Sequence, residues 1–263
     1  MAGFRSSKLT MAAFPVTAML ATALAACTTL YNPATGRQET LLSTPVETTL
    51  GNVARTQMGL TSLRMGNVAE TDFSRVQAIG RRIAQVSDRQ DVQYQFGVIR
   101  EKSLNAFTLP GGTIYVHTGL IEKANDDELA SVLSHEMGHA AARHVAKRLQ
   151  ADLGFSLLVG VAGAAAGSPD AVRVANSMYG LISNGFSRQD ELEADRLGVR
   201  YAFRAGYNPE GMITFFEKLL REHPEDALAR ATVWQRTHPL TSDRITQAKK
   251  EVEQIRHSGE GGK

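Results

Sequence analysis

The chain has 263 residues, with 29 basic and 27 acidic side chains and a formal net charge of +2. Arg5 and Lys8 account for all of that net charge, aromatic residues make up 6% of the chain, and no basic stretch with interleaved aromatics occurs. The composition therefore argues against nucleic-acid binding, and the length suits one folded domain.

Residues 1–26 have the composition of a bacterial lipoprotein signal peptide. The basic start at Arg5 and Lys8 precedes an apolar run of small residues without acids. Cys27, the only cysteine, directly follows Leu24-Ala25-Ala26. An unpaired thiol is a liability in an oxidising compartment, whereas a lipidated one is not. We therefore expect lipidation at Cys27, with an ordinary cleaved signal or an N-terminal membrane anchor as the alternatives.

The rest of the chain divides into three predicted parts. Residues 27–43 are rich in Thr, Asn, Pro and Gly without periodicity, which predicts a linker after the lipidated residue. The folded domain is predicted over 44–257, followed by a flexible tail at 258–263. Inside the domain, the spacing of apolar residues predicts amphipathic helices over 45–60 and 70–86.

A small sheet is predicted next. Alternating polar and apolar residues predict a strand over 92–99, and a glycine-rich turn predicts a hairpin over 105–116. An open sheet edge can bind an extended peptide through its backbone. The candidates for such contacts are Asn105, Ala106 and Phe107, and a purely structural hairpin is the alternative.

The chain then carries an H-E-x-x-H motif. In a helix over 126–147, His135 and His139 lie one turn apart on one face, where both imidazoles can reach the same ion. Glu136 lies about 100° round that helix, where it can act as a general base without binding the ion. Gly138 inside the helix predicts a close approach by another element.

The region after this helix is less informative. His144 lies five residues past His139 and is predicted to point away from the ion, as a packing or surface residue. The apolar run 155–167 is shorter than the roughly 20 residues that span a bilayer. It predicts a buried helix or, with the following glycines, a mobile lid over 155–185, and membrane insertion is the third alternative.

A second acidic helix is predicted to begin near Ser187. Glu191 and Asp195 share one face of it, while Glu193 points roughly opposite, toward solvent. Two neutral imidazoles suit zinc, and a catalytic zinc binds a third protein ligand. We therefore predict one Zn²⁺ per chain bound by Glu191 and the two histidines of the motif, with Asp195 accepting the other ring N–H of His135.

These residues resemble a known family. The H-E-x-x-H motif at 135–139, followed by Glu191-x-x-Ala194-Asp195, is similar to the CAAX-prenyl-protease-type, HtpX-related zinc metallopeptidases, and the similarity extends over about residues 45–255. No membrane-spanning segment follows the predicted signal peptide. In this respect the chain resembles the soluble periplasmic lipoprotein branch of LoiP and BepA type. The resemblance implies an α+β fold, a mainly helical gluzincin-like core with a small β-sheet preceding the H-E-x-x-H helix.

The resemblance also implies roles for two residues near the last helix, where the chain has His-Pro-Leu-Thr-Ser-Asp-Arg at 238–244. His238 is predicted to act at the site as a transition-state or switch residue, or else to close the fold. Arg244 is predicted to contribute to substrate binding.

The resemblance implies a zinc endopeptidase that degrades misfolded or stalled envelope proteins. Thr28, rather than Asp, follows Cys27, which implies anchoring in outer-membrane lipid on the periplasmic side, with a soluble periplasmic protein as the alternative. Unfolded or misassembled envelope proteins and the outer-membrane assembly machinery are the implied partners. Two other functions stay open: a chaperone-like assembly lipoprotein with a structural or autoinhibited zinc site, and a different metal hydrolase such as an esterase.

Overall fold

The computed structural model describes residues 27–163, 168–221 and 236–258. The predicted signal peptide and residues 259–263 of the predicted tail lie outside this described part. The strands are β1 (Cys27–Asn32), β2 (Arg37–Leu42), β3 (Arg64–Met65), β4 (Gln95–Ile99), β5 (Ala106–Thr108) and β6 (Thr113–His117). The helices are α1 (Thr44–Gln57), α2 (Glu70–Ala84), α3 (Thr118–Lys123), α4 (Asp126–Ala141), α5 (His144–Leu153), α6 (Phe155–Gly163), α7 (Pro169–Asn184), α8 (Arg188–Arg204), α9 (Gly211–Arg221) and α10 (Ser242–Ser258).

The main sheet has the strand order β3-β4-β6-β5. Strands β3, β4 and β6 are parallel, and β5 pairs antiparallel with β6 as the predicted hairpin. Because side chains alternate along a strand, β6 packs into two apolar cores. Ile114 and Val116 belong to the core that includes α4 and α8, and Tyr115 to the one that includes α1 and α7. Because β5 is the last strand in the order, it forms one edge of the sheet, where it lies next to α4.

Helix α4 begins with a capping box, in which the Asn125 side chain accepts from Glu128 N and the Glu128 carboxylate accepts from Asn125 N, both at 2.9 Å. It crosses α8 at a very close approach. A Cβ on Gly138 would lie 2.8 Å from the carbonyl oxygen of Ala194, and one on Gly198 would lie 3.0 Å from the His135 backbone. The predicted approach at Gly138 is therefore present, and glycines on both helices allow it.

The α+β fold class is confirmed: the chain is mainly helical, with a small sheet before the H-E-x-x-H helix. Two local predictions were wrong. The segment predicted as a linker contains the antiparallel hairpin β1–β2, in which the Cys27 backbone pairs with Leu42. The helix predicted over 126–147 ends at Ala141, because Arg143 adopts a left-handed conformation with φ of 60° before α5 begins.

The segment predicted as a buried helix or lid forms α6 and α7, and residues 164–167 lie outside the described residues. Only Leu158 and Val161 of α6 are buried. One face of α7 packs against α1. Among the described helices, none has both the length and the apolar composition needed to cross a membrane.

Candidate metal centre

Four side chains from three parts of the chain converge in the interior. Helix α4 contributes His135 and His139, α8 contributes Glu191, and the segment before α10 contributes His238. One nitrogen or oxygen from each lies within 4.8 Å of the others, and all four residues are buried. The Nε2 atoms of His135 and His139 are 3.1 Å apart, and Glu191 Oε1 lies 3.3 Å from His139 Nε2. The predicted ligand set is therefore assembled in one place.

His238 lies among these atoms. Its Nδ1 is 3.0 Å from Glu191 Oε1 and 3.2 Å from His135 Nε2, while its Nε2 is 3.3 Å from Glu136 Oε1. The structure thus places His238 beside both the ligand atoms and the predicted general base. This position is compatible with a ligand, a switch residue or a transition-state residue.

Glu136 is fully buried beside the cluster and is held from one side. Thr108, at the end of edge strand β5, donates its hydroxyl to Glu136 Oε2 at 2.8 Å and to the Glu136 carbonyl oxygen at 2.9 Å. Oε1 of the same carboxylate has no hydrogen-bond partner among the described residues. One oxygen is therefore fixed by Thr108, and the other faces His238 Nε2 at 3.3 Å without a hydrogen bond.

Asp195 occupies the position that the helical spacing predicts. Its Oδ1 lies 2.8 Å from His135 Nδ1. The Arg244 guanidinium donates to Asp195 from Nε and Nη2, at 2.6 and 2.7 Å, and its Nη1 lies 2.7 Å from Glu191 Oε2. Arg244 is buried, and its donors are directed at these carboxylates and at the carbonyl of His238. Its donors are therefore engaged by residues of the site, and its predicted contact with a substrate stays a prediction.

His144 was predicted to point away from the site, and this was wrong. Because the chain turns at Arg143, His144 folds back until its Nδ1 lies 2.9 Å from His139 Nδ1. Glu193, predicted to face solvent, lies with Oε2 at 3.2 Å from His144 Nε2. Phe186 stacks on the His139 ring, with ring centroids 4.0 Å apart. No periodicity in the sequence signals these contacts, because they depend on a break inside the predicted helix.

The pKa shifts of the clustered side chains favour the protonation states that bind a metal ion. Burial raises the pKa of Glu191, but the charges of His238 and Arg244 outweigh it and hold that pKa well below its ordinary value. Burial likewise opposes ionisation of Asp195, yet Arg244 keeps its pKa low. Burial holds the pKa of His139 well below its ordinary range, which keeps the imidazole neutral. Neutral imidazole and ionised carboxylate are the forms that bind metal.

The hydrogen-bond partner of His135 indicates that these side chains fit a zinc ion. Since the ionised Asp195 carboxylate faces His135 Nδ1, the hydrogen of a neutral His135 lies on Nδ1 and its lone pair on Nε2. That lone pair is directed at His139 Nε2 and at Glu191 Oε2, 3.5 Å away. Buried acceptors this close to one another favour a cation among them. Imidazole nitrogens with a carboxylate oxygen are a donor set that zinc binds.

The predicted substrate contacts lie at the sheet edge. Asn105 O accepts from His117 N, and Leu109 N donates to Thr113 O, so the backbone of Phe107 between them also pairs toward β6. In this register the backbone groups of Ala106 and Thr108 face away from β6, although both residues are buried. Ala106 is therefore the one predicted contact whose backbone faces away from β6.

Comparisons with known proteins agree with this site. Residues 70–252 match the model of peptidase family M48. The beta-barrel assembly-enhancing protease of Escherichia coli K12 is 31% identical over 198 residues, which cover 69% of this chain and 39% of that protein. The mitochondrial metalloendopeptidase OMA1 of Schizosaccharomyces pombe is 32% identical over 65% of this chain and 50% of its own. Metalloprotease LoiP of E. coli K12 is 36% identical over 50% of this chain and 53% of its own.

This chain thus spans about two fifths of the length of the assembly-enhancing proteases that it matches. The matched residues include the whole of α4 and α8, from which three of the four clustered side chains come. The chain therefore belongs to peptidase family M48, whose members are metallopeptidases.

Proposed function

We propose that this protein is a zinc-dependent endopeptidase that degrades misfolded or stalled proteins of the bacterial envelope. The observation that carries the proposal is the convergence of four buried ligand atoms within 4.8 Å, with the Glu136 carboxylate beside them. In the proposed site, His135, His139 and Glu191 bind the ion. Glu136 acts as the general base, and no serine or cysteine nucleophile is required.

The chemistry divides between the ion and the chain. When bound, zinc supplies Lewis acidity, which polarises a scissile carbonyl group and makes water a stronger acid. Glu136 accepts the proton from water on Oε1 and passes it to the leaving amine. Thr108 holds Oε2, so Oε1 keeps a fixed direction. Asp195 and Arg244 keep His135 in the tautomer that presents its Nε2 lone pair.

The sheet edge supplies a binding mode for an unfolded chain. The backbone groups of Ala106 and Thr108 face away from β6, and Thr108 also contacts Glu136. Both residues are buried, so a peptide would pair here only after the segments that cover this edge move aside. An extended peptide that adds a strand here lies directly beside the general base. Backbone pairing selects for extended conformation rather than for sequence, which suits misfolded substrates.

The cellular setting follows from the leader and the relatives. We propose that Cys27 carries a lipid that anchors the protein in the outer membrane on its periplasmic side. The relatives named beta-barrel assembly-enhancing protease support unfolded or misassembled envelope proteins as substrates, and the outer-membrane assembly machinery as a partner.

Proteolysis of a denatured outer-membrane protein by the chain without residues 1–26 tests the proposal. We expect degradation that a chelator abolishes and added zinc restores. Glu136→Gln, which keeps the size of the side chain, should bind zinc and lower turnover at least about 100-fold. Wild-type turnover by Glu136→Gln, or turnover that resists the chelator, would contradict the assignment. Comparing the turnover of peptide and ester substrates distinguishes a peptidase from an esterase.

A second function is favoured by the position of His238. Its Nδ1 lies within 3.2 Å of atoms of both His135 and Glu191, so four protein ligands can fill the coordination sphere, as in a structural site. Met178 and Leu181 of α7 line a small cavity together with Thr108 and His238, so α7 covers this side of the site. We propose this closed form as the alternative, an assembly lipoprotein with an autoinhibited or structural zinc. His238→Ala should raise peptide turnover if His238 fills the fourth position, and should lower it if His238 stabilises the transition state.

A further inference from the structure

His139 is held at both of its ring nitrogens, and only one of them faces the ligand cluster. Nε2 lies 3.1 Å from His135 Nε2, among the ligand atoms. Nδ1 lies on the opposite side, 2.9 Å from His144 Nδ1. Two imidazole nitrogens at this distance share one hydrogen, so one ring donates and the other accepts. Which ring donates decides which nitrogen of His139 carries the lone pair.

A ligand imidazole is neutral and offers a lone pair to the ion. For Nε2 of His139 to be the ligand atom, its Nδ1 must carry the hydrogen. His144 Nδ1 must then accept it, and a neutral His144 must carry its own hydrogen on Nε2. The tautomer of His139 therefore depends on what His144 Nε2 meets.

His144 Nε2 meets two acceptors, both from α8. Glu193 Oε2 lies 3.2 Å away and Asp190 Oδ1 lies 3.5 Å away. A carboxylate can only accept, so it holds the hydrogen of His144 on Nε2. His144 is buried, and the nearest acceptor, Glu193, is only partly exposed, with 18% of its side chain accessible. Hydrogen bonds in such surroundings are little weakened by competing water.

The backbone is arranged to bring His144 there. In a continuous helix, a residue five positions after His139 lies about 140° away from it round the axis. The left-handed conformation of Arg143, with φ of 60°, ends that helical geometry before His144. The Arg143 guanidinium donates to the carbonyl oxygen of Leu42 at 2.8 Å and lies 3.2 Å from Glu47, which fixes the turn. Strained backbone that is held in this way is common at functional sites.

We propose that Glu193 and His144 form a hydrogen-bond relay that fixes the tautomer of His139, so that Nε2 carries the lone pair that faces the ion. Helix α8 then orients both histidines of the motif, His135 directly through Asp195 and His139 through His144. His144 and Glu193 are positioning residues, since neither touches the ion or a substrate. This inference rests on the proposed zinc site, in which His139 is a ligand.

Zinc affinity and NMR test the relay without any use of peptidase activity. All proteins carry Glu136→Gln and are titrated with zinc against a chromophoric chelator. We expect His144→Phe, which keeps a ring but removes the acceptor, to raise the zinc dissociation constant about 10–100-fold. Glu193→Gln should raise it by less. His117→Phe removes a histidine whose ring lies against Ser103 and Phe107, so it should leave the affinity unchanged.

A long-range ¹H–¹⁵N spectrum of the zinc-loaded protein reads the tautomers directly. We expect the hydrogen on Nε2 of His144 and on Nδ1 of His139, and this measurement needs no variant that has to fold. A hydrogen on Nδ1 of His144, or wild-type zinc affinity in His144→Phe, would overturn the relay. If the Glu136→Gln protein with intact His144 binds no zinc, the proposed function fails as well. If zinc binding and the relay hold but the wild-type enzyme cleaves no peptide, only the proposed function fails.

Discussion

Arg244 binds Asp195 through two parallel hydrogen bonds, from Nε to Oδ2 at 2.6 Å and from Nη2 to Oδ1 at 2.7 Å. The remaining nitrogen of the guanidinium lies 2.7 Å from Glu191 Oε2. A single cation from α10 therefore compensates two buried carboxylates of α8, one that binds the ion in the proposed site and one that orients a ligand.

Replacing Arg244 should destabilise the metal-free protein strongly. Arg244→Ala leaves Asp195 and Glu191 buried without their cation, and breaking a buried pair in this way costs about 3–5 kcal/mol. Urea denaturation of the metal-free protein measures the loss. Arg244→Lys should be intermediate, because lysine cannot form the two parallel bonds. The control is Arg188→Ala, which removes an exposed pair with Asp243 and should cost no more than about 1 kcal/mol.

The contact between α4 and α8 predicts the effect of one methyl group. Gly138→Ala places a Cβ 2.8 Å from the Ala194 carbonyl, so the helices must separate, at a cost of about 1–3 kcal/mol. Because the ligands come from both helices, zinc affinity should fall as well. Gly160→Ala in α6 meets nothing within 4 Å and should raise stability by up to about 1 kcal/mol. Thermal denaturation of both variants tests this, and equal effects would contradict it.

The hydrogen bond from Thr108 to Glu136 predicts that a substitution at Thr108 lowers catalysis without changing metal binding. Thr108→Val keeps the shape of the side chain but removes the hydroxyl that donates to Glu136. A lost buried hydrogen bond is worth about 1–3 kcal/mol, so turnover of a quenched peptide should fall about tenfold or more. The zinc dissociation constant should not change, because Thr108 does not contact the ligands. Thr108→Ser restores the hydroxyl and should restore turnover; an inactive Thr108→Ser would count against this role.

Asp91 predicts a loss of stability in acid that is independent of the metal centre. Burial raises its pKa, but the hydrogen bond from Thr44 and the charges of Arg89 and Arg143 outweigh this, and the pKa lies below its ordinary value. A carboxyl group with a lowered folded-state pKa stabilises the protein above its unfolded pKa of about 4, and this contribution disappears as the pH falls through the folded-state value.

The melting temperature of the metal-free protein as a function of pH checks this. Asp91→Asn should lower it at neutral pH and make its decline below about pH 4 shallower. Asp170→Asn, which alters an exposed pair with Arg173 on α7, is the matched control and should leave the profile unchanged. An unchanged profile for Asp91→Asn would show that this carboxylate contributes nothing.

The spacing of residues in regular helices was enough to predict the centre of the site. His135 and His139, four residues apart, do share a face, and the same period on the next acidic helix brings Glu191 and Asp195 to them. These predictions succeed because α4 and α8 are regular where those residues lie. Gly138 was informative too, because glycine destabilises a helix interior and is tolerated there when a neighbouring element needs the space.

The contacts around the ligand residues could not be predicted from helical spacing. His144 reaches His139 only because Arg143 leaves the helical conformation, and Arg143 is held there by Leu42 and Glu47, about a hundred residues earlier. Composition also misjudged residues 27–43, where strand pairing between β1 and β2 replaces the expected irregular linker. In both places a contact between distant parts of the chain decides the local conformation, and no local pattern reports it.

The pairing of Cys27 with Leu42 bears on how the protein meets a bilayer. Leu42 belongs to the same apolar core as α1 and α5, and its carbonyl is bound by Arg143. The lipid that we propose on Cys27 would thus be attached to a β-strand that pairs with this core, and not to an irregular linker. With the proposed anchor at this position, the folded domain would stay close to the bilayer surface.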